Sequence, residues 1–495
     1  MKPPSPLSPP RFRLSWIGCS GLKQARQIHA HLISLGLVCY TYVASRVLAL
    51  YALHDMALAH QLFARIPQPT IFHWNTMIRG FSITARPHRG LAVYVGMRRH
   101  GVFPNMHTFP FTIKSCTGVP VLSQVHGQVF KFGFDLDVFV TSSLVKRYSD
   151  LGAVELASKV FDESSHRNVV CWTCLITGYC SHGLVDKARS LFDHMPERNG
   201  ASWSAMITGY VQNERHKEAI ELFHELRECS AAELNDALLV SALSACASLG
   251  ALEEGRWIQS HIDAKGSMHY GLELGTALVD FYAKCGFVDS AREVFDKMPR
   301  KDVTAWSAMI MGLALNGHSR RAISAFSEML KQDVAPNAIT FIGVLAACNH
   351  GGLVDEGRAH FESMVSAYGV RPTIEHYGCI VDLLSRAGHT AEAEGLIESM
   401  PMEPDGVIWG ALLNGCRIHG HFKRGERAGR RVIELEPAHF GRYVGLANVY
   451  ASMKRWDGVA ELRRAMRKRQ VTTTPGWSSI GHLDDKTHRQ KETHR

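Results

Sequence analysis

Between residues 303 and 337 the apolar positions fall into two stripes of helical spacing. Trp306, Met309, Ile310 and Leu313 recur near i, i+3, i+4 and i+7, the pattern of a helix with one buried face. Asn316-Gly317-His318 interrupts it, and glycine is favoured just past a helix end. A second stripe follows, Ala322, Ile323, Phe326 and Met329, and Pro336 closes the segment, because proline cannot continue a helix. The pattern predicts two helices joined by a tight turn. Neither covers its own apolar stripe, so the pair needs neighbours stacked against it.

Those neighbours recur along the chain. Val169-Val-Cys-Trp-Thr-Cys-Leu-Ile-Thr-Gly-Tyr179, Gly200-Ala-Ser-Trp-Ser-Ala-Met-Ile-Thr-Gly-Tyr210 and Val303-Thr-Ala-Trp-Ser-Ala-Met-Ile-Met-Gly-Leu313 are versions of one segment. Trp74 and Trp409 occupy the matching slot, and Trp203, Trp306 and Trp409 are 103 residues apart. Cys246 and Cys348, in Ser-Ala-Cys and Ala-Ala-Cys, lie 102 apart. The long period is a triplet of shorter units. The chain is expected to be all-α, an α-solenoid of stacked helix-turn-helix repeats in place of the three or so globular domains that 495 residues allow.

The units resemble pentatricopeptide repeats of the plant PLS type, which mixes long, ordinary and short motifs. The resemblance rests on Phe281-Tyr-Ala-Lys-Cys-Gly286, Ala291-Arg-Glu-Val-Phe-Asp-Lys-Met-Pro299, Trp306-Ser-Ala-Met-Ile310, Gln27-Ile-His-Ala-His-Leu32 and His376-Tyr-Gly-Cys-Ile-Val-Asp-Leu-Leu-Ser-Arg-Ala-Gly388. It implies a right-handed solenoid over residues 14–405 after a short N-terminal segment, 1–13. E-type, tetratricopeptide-like pairs at 406–473 and a short polar tail at 474–495 follow. The repeat register is 41–70, 71–105, 106–137, 138–168, 169–199, 200–235, 236–271, 272–302, 303–337, 338–373 and 374–405, with 106–137 an abbreviated long motif.

In such an array the first helix of each unit lines one groove. A compact polar side chain there and a second at the unit junction can meet the same base, giving one base per repeat. In the resembling family the pair is the fifth and the last residue of a motif. That carries over as Asn75 with Asn105, Ser142 with Asn168, Thr173 with Asn199, Ser204 with Asn235, Thr276 with Asp302, and Ser307 with Asn337. The family's pairing tendency assigns a pyrimidine to the first pair, guanine to Thr276/Asp302 and adenine to the other four. The implied RNA is 5′-Y-N-A-A-A-N-G-A-N-N-3′, parallel to the protein. The competing reading is that the junction Asn or Asp only caps the next helix and that Ser or Thr is a tolerated helix-face residue. The second motif position, apolar in the family and packed on the base, is Phe72, Phe139 and Val170 here, but Ala201, Glu273 and Thr304 depart from it.

Composition narrows the alternatives. With 46% hydrophobic and 20% charged residues the chain is foldable. The formal charge of +9 is concentrated at the ends: residues 1–54 hold six Lys/Arg and no acid, whereas 55–416 hold 31 basic and 38 acidic residues. A basic footprint is therefore not a property of the whole chain. The acid-free, Ser-, Pro- and Arg-containing start fits an organelle transit segment, against the plainer reading of a basic end with no address. Twelve cysteines are too sparse for a disulfide scaffold, and Cys116, Cys246, Cys348 and Cys416 lie in apolar helical patterns that predict buried thiols. The uncharged run Ala237–Leu252 is 16 residues, too short for a membrane span.

Candidate chemistry is weak. Cys171-Trp-Thr-Cys174 lacks a second ligand pair for zinc. His216-Lys-Glu218 matches half of a zinc deaminase signature, but no Pro-Cys-x-x-Cys follows. His419-Gly-His421 reads as a polar turn. Phosphate-loop and nucleophile-elbow motifs are lacking. The expectations are no catalytic role, metal, cofactor, membrane or small-molecule substrate.

At the C-terminal end Arg463, Arg464, Arg467, Lys468 and Arg469 are basic at helical spacing, either a solvated face or an RNA-backbone contact. Pro475-Gly-Trp-Ser-Ser-Ile480 resembles the start of the extension after E-type motifs, with Trp477 and Ser479 departing from it. Family members ending here lack the cytidine deaminase and recruit one in trans. The resemblance thus implies a factor that binds single-stranded organellar RNA and selects sites for cytidine-to-uridine editing. It would act in the mitochondrion, or alternatively the chloroplast, with a deaminase-bearing partner and editing accessory proteins. The rivals are an organelle splicing, stability or translation factor and a tetratricopeptide-like protein scaffold.

Overall fold

The computed structural model describes residues 21–36, 40–229, 234–264 and 270–471. The segments 1–13 and 474–495, and Pro475 to Ile480, lie outside the described residues. Among the described residues there are 27 helices and no strand. The chain divides into two compact units, 1–249 and 250–495.

Within each unit the helices come in antiparallel pairs. Val169–Ser181 pairs with Val185–Asp193, and Gly200–Gln212 with His216–Glu228. In the other unit Val303–Leu315 pairs with Ser319–Lys331, and Gly406–Ile418 with Phe422–Leu435. Each first helix also packs on the first helix of the next pair, which makes each unit an α-solenoid. Gly317 takes the left-handed conformation (φ +77°) directly after the Asn316 C-cap, as the interruption in the apolar pattern predicts. The first helix of the 106–137 motif is only eight residues, Thr108–Ser115, where most others run to thirteen. Cys116 is already extended there, which accounts for the short motif.

One sequence feature sets the distance between pairs. The tenth residue of several first helices is glycine, and a Cβ on Gly209 would lie 2.2 Å from Cys180 Sγ. One on Gly312 would lie 2.4 Å from Ala283 Cβ. Neighbouring first helices therefore touch backbone to side chain at this level. The cores are continuous layers of Leu, Ile, Val, Phe and Trp, with Trp306 and Phe341 almost fully buried. Cys116, Cys246, Cys348 and Cys416 are buried as expected.

The second helices carry many of the acids of the central sequence, and neighbouring repeats pair some of them with arginines. In the 1–249 unit Arg189 meets Glu225 at 3.1 Å, and Arg215 meets Asp186. In the 250–495 unit Arg292 meets Glu328 at 3.3 Å, Arg321 meets Asp289 at 3.1 Å, Arg320 meets Glu356 at 2.9 Å and Arg358 meets Glu392 at 2.6 Å. Exposed pairs of this kind contribute about 0–1 kcal/mol each, so packing holds the stack and the ion pairs refine its register.

Candidate nucleic-acid interface

The junction residue caps the next helix in five of the six pairs, and Asn105 accepts from the amides that lead into the helix Thr108–Ser115. Asn168 Oδ1 accepts from the Cys171 amide at 2.9 Å, and Asn199 accepts from the Ser202 amide at 3.0 Å. Asn235 accepts from Leu238 at 2.9 Å and Asn337 from Thr340 at 3.0 Å. Asp302 Oδ1 accepts from Thr304 and Ala305 at 3.1 and 2.9 Å, and Asn105 Oδ1 from His107 and Thr108, both at 3.1 Å. The plainer reading of these positions is therefore realised.

The cap uses only half of each side chain. Once Oδ1 faces the helix, an asparagine has its Nδ2 hydrogens left as donors, whereas Asp302 has a second carboxylate oxygen left as an acceptor. Asn168, Asn199, Asn235 and Asn337 donate their Nδ2 hydrogens to no group among the described residues.

The fifth residues are partly engaged. Ser142, Thr173, Thr276 and Ser307 each donate a hydroxyl hydrogen to the carbonyl four residues back, at 2.7 Å. That hydrogen bond satisfies the proton and leaves lone pairs outward. The structure joins some pairs directly. Asn75 Nδ2 donates to Asn105 Oδ1 at 3.1 Å, and Ser142 Oγ reaches Asn168 Oδ1 at 3.4 Å. In others the third residue of the next motif is the bridge: Thr340 Oγ1 lies 2.8 Å from Ser307 Oγ and 3.1 Å from Asn337 Oδ1. Thr108 Oγ1 donates to Asn75 Oδ1 at 2.8 Å in the same way. For Thr173 with Asn199, Ser204 with Asn235 and Thr276 with Asp302 the fold supplies no side-chain bond within the pair.

The second position is exposed where it is apolar. Phe72, Phe139 and Val170 are 49%, 69% and 56% accessible. The structure adds Tyr42, Ile339 and Val407, which sit at the same position of their motifs and are also exposed large apolar residues. Sequence reading passed over these three because their motifs had no polar pair to draw attention to them. The signal was present nonetheless, an apolar residue second in the motif. A cavity of about 440 Å³ lined by Phe72, Asn75, Arg79 and Asn105 shows that the second, fifth, ninth and last positions share one face.

The comparisons with known proteins bear on the whole chain. Residues 72–102, 201–230, 276–303 and 375–403 match the PPR repeat, as do 164–196. Residues 301–350 match the PPR repeat family, and 419–481 match the E motif. A pentatricopeptide repeat-containing protein of Arabidopsis thaliana is 48% identical over 477 residues, 95% of this chain and 76% of its own length. The chain belongs to the pentatricopeptide repeat family. Its E motif agrees with a PLS-type member. A second Arabidopsis pentatricopeptide repeat protein is 45% identical over 473 residues, 93% of this chain and 76% of its own. A third, labelled chloroplastic, is 38% identical over 578 residues, 95% of this chain and 78% of its own. Among solved structures, the maize pentatricopeptide repeat protein PPR10 shares the fold with a TM-score of 0.55 at 17% identity, over 91% of this chain and 77% of that one.

The sites set aside in the sequence have structural roles in this PPR array. Burial pushes the Cys171 thiol up to about 11 and raises that of Cys174, so both pack as neutral thiols. Glu218 is bound by Arg215 Nε at 2.7 Å, which holds its carboxyl below the usual range. His419 Nε2 lies 2.7 Å from the Arg386 carbonyl, and His421 Nδ1 lies 2.6 Å from Thr390 Oγ1. These two rings fasten one turn to the preceding pair. Among the described residues no group of three or more His, Cys, Asp or Glu could hold a metal, and no helix is long and apolar enough to cross a membrane. The basic run Arg463, Arg464, Arg467 and Lys468 is exposed on the helix Trp456–Lys468, and Arg469 donates to Tyr443 Oη at 2.7 Å.

Proposed function

We propose that the chain binds single-stranded RNA and reads one base at each of the six polar pairs. The carrying observation is the half-used cap. A free Asn Nδ2 donor complements the ring-nitrogen acceptor of adenine or cytosine, and a free Asp carboxylate complements the ring N–H of guanine or uracil. The five asparagines and Asp302 therefore present opposite hydrogen-bonding polarity to the Watson–Crick edge, in agreement with the A-A-A and G positions of the expected element. The exposed Phe72, Phe139 and Val170 supply apolar surface for base faces.

The finer reading is a site-recognition factor for cytidine-to-uridine editing in the mitochondrion, or alternatively the chloroplast. The E motif at 419–481 favours it over splicing or stability roles. In this reading the repeats dock 5′ of the target cytidine and the E region engages a deaminase-bearing partner. Two measurements test it. Gel shifts with single-base changes at A-A-A and G test base reading, and unchanged affinity rejects it. Organelle transcript sequencing in a knockout tests editing. Loss of conversion at a cytidine just downstream of the element supports it, and unchanged editing throughout rejects it.

A further inference from the structure

We propose that Arg79, Lys114 and Lys146 form a phosphate track in the 1–249 unit, which grips the phosphodiester backbone of the RNA. The proposal rests on the RNA-binding reading and adds the contact that supplies affinity. All three are ninth in their motif. Position nine is one helical turn beyond position five, so its side chain emerges on the same face. Arg79 lines the same cavity as Phe72 and Asn75, and its guanidinium lies over the Phe111 ring at 5.8 Å.

Arg79, Lys114 and Lys146 are exposed and make no ion pair among the described residues. Asp150, four residues beyond Lys146, lies 3.9 Å from Arg147 instead. The arginines of the second helices contrast with them, being matched to carboxylates of adjacent repeats. In the next three motifs position nine is Thr177, Thr208 and Ser244. In the 250–495 unit it includes Asp280 and Asp382, which bind the nearby cations Lys284 at 2.7 Å and Arg386 at 3.9 Å. Free cations at this position are thus confined to three successive motifs. One cation per repeat on the base-reading face fits a chain that advances one nucleotide per repeat, so RNA is favoured over an acidic protein surface. The slightly acidic balance of the central sequence hides this stripe, because many of the acids sit on the second helices, where a number of them pair with arginines.

The test uses the full chain and two short RNAs, the predicted element and a scrambled one, with affinity measured against salt. Each phosphate contact on a single strand contributes about 0.7 to the slope of log K against log salt. Replacing all three by glutamine (R79Q, K114Q, K146Q) is expected to lower the slope by about 2 and to weaken both RNAs by the same factor. The control K131Q, K159Q, K217Q removes equal charge from exposed second-helix positions and is expected to keep the wild-type slope. Circular dichroism melts check that both variants fold. An unchanged slope in the track variant, or an equal drop in the control, overturns the proposal. So does loss of poly-glutamate binding with the RNA slope intact, which would assign the stripe to an acidic protein. A wild-type chain that binds both RNAs equally, with the slope drop present, would reject base reading alone and leave the track standing. A wild-type chain that binds neither rejects both.

Discussion

The ring of Phe192 meets the indole of Trp203 edge-on, with centroids 4.9 Å apart at 75°. Phe192 ends one repeat and Trp203 opens the next. Arg198 covers the joint, 4.7 Å above the Phe192 ring, and donates to the Phe192 and Asp193 carbonyls at 3.1 and 2.9 Å. The same edge-on contact recurs as Phe63 with Trp74, Phe161 with Trp172 and Phe295 with Trp306, at 4.8, 4.8 and 4.7 Å. Arg167 repeats the covering contact over Phe161 at 4.7 Å. Trp74, Trp203 and Trp306, which help reveal the period in the sequence, thus join consecutive repeats.

Trp203→Ala is therefore expected to cost about 3–5 kcal/mol, the usual range for a buried aromatic truncation. In a stacked array the loss falls on one interface, so chemical unfolding should become broader as well as earlier. A transition shifted without broadening would argue against a local interface effect.

Asp302→Asn keeps the cap, because Asn and Asp cap about equally well, but exchanges the free acceptor for a free donor. Thermal stability should stay within about 0.5 kcal/mol of wild type. RNA preference at that position should move from guanine to adenine by about 1–3 kcal/mol. Competitive gel shifts with the two RNAs give the answer, and retained guanine preference would sink the half-used-cap argument.

His73 and His376 are buried and serve as the third residue of matching caps. Their Nδ1 atoms accept from the Thr70 and Thr373 amides at 3.0 and 3.1 Å. Burial is the main cause and lowers both below the ordinary value of 6.5. The neutral ring is the folded form, so this contribution is complete above about pH 6.5 and is lost as pH falls through the depressed folded values. Melting temperature is expected to be lower at about pH 5.5 than at about pH 7.5. The double variant His73→Gln, His376→Gln keeps a capping-box acceptor and should flatten part of that acid loss. An identical acid limb in the variant would remove these rings from the account.

Glu394 is 8% exposed and held by Arg424 at 2.6 Å and Arg427 at 2.8 Å. Removing Arg424 leaves a largely buried carboxylate short of a partner, and Arg424→Ala should cost about 3 kcal/mol in the 250–495 unit. Arg321→Ala, which breaks an exposed pair with Asp289, should cost under about 1 kcal/mol. Denaturant midpoints compare the two, and equal losses would contradict the burial argument.

Much of the fold is legible in the sequence, because a 3.6-residue apolar period and a repeated Trp-x-x-Met-Ile register encode helix pairs that must stack. The junction Asn and Asp residues are legible too, since a capping side chain acts within three residues of itself. The abbreviated motif at 106–137 shows in its length, though not where its first helix stops. Ion pairs such as Arg292 with Glu328 link residues 36 apart in sequence, so no local pattern announces them.

The amino-acid order by itself determined the all-α repeat, its register and which positions are polar, since each depends on contacts within a turn or two of helix. Only the tertiary structure decided which half of each junction side chain is consumed by the cap, which second-position residues stay exposed, and which cations are left unmatched. Those outcomes depend on how one repeat lies against the next, and stacking places groups about thirty residues apart within a few ångströms.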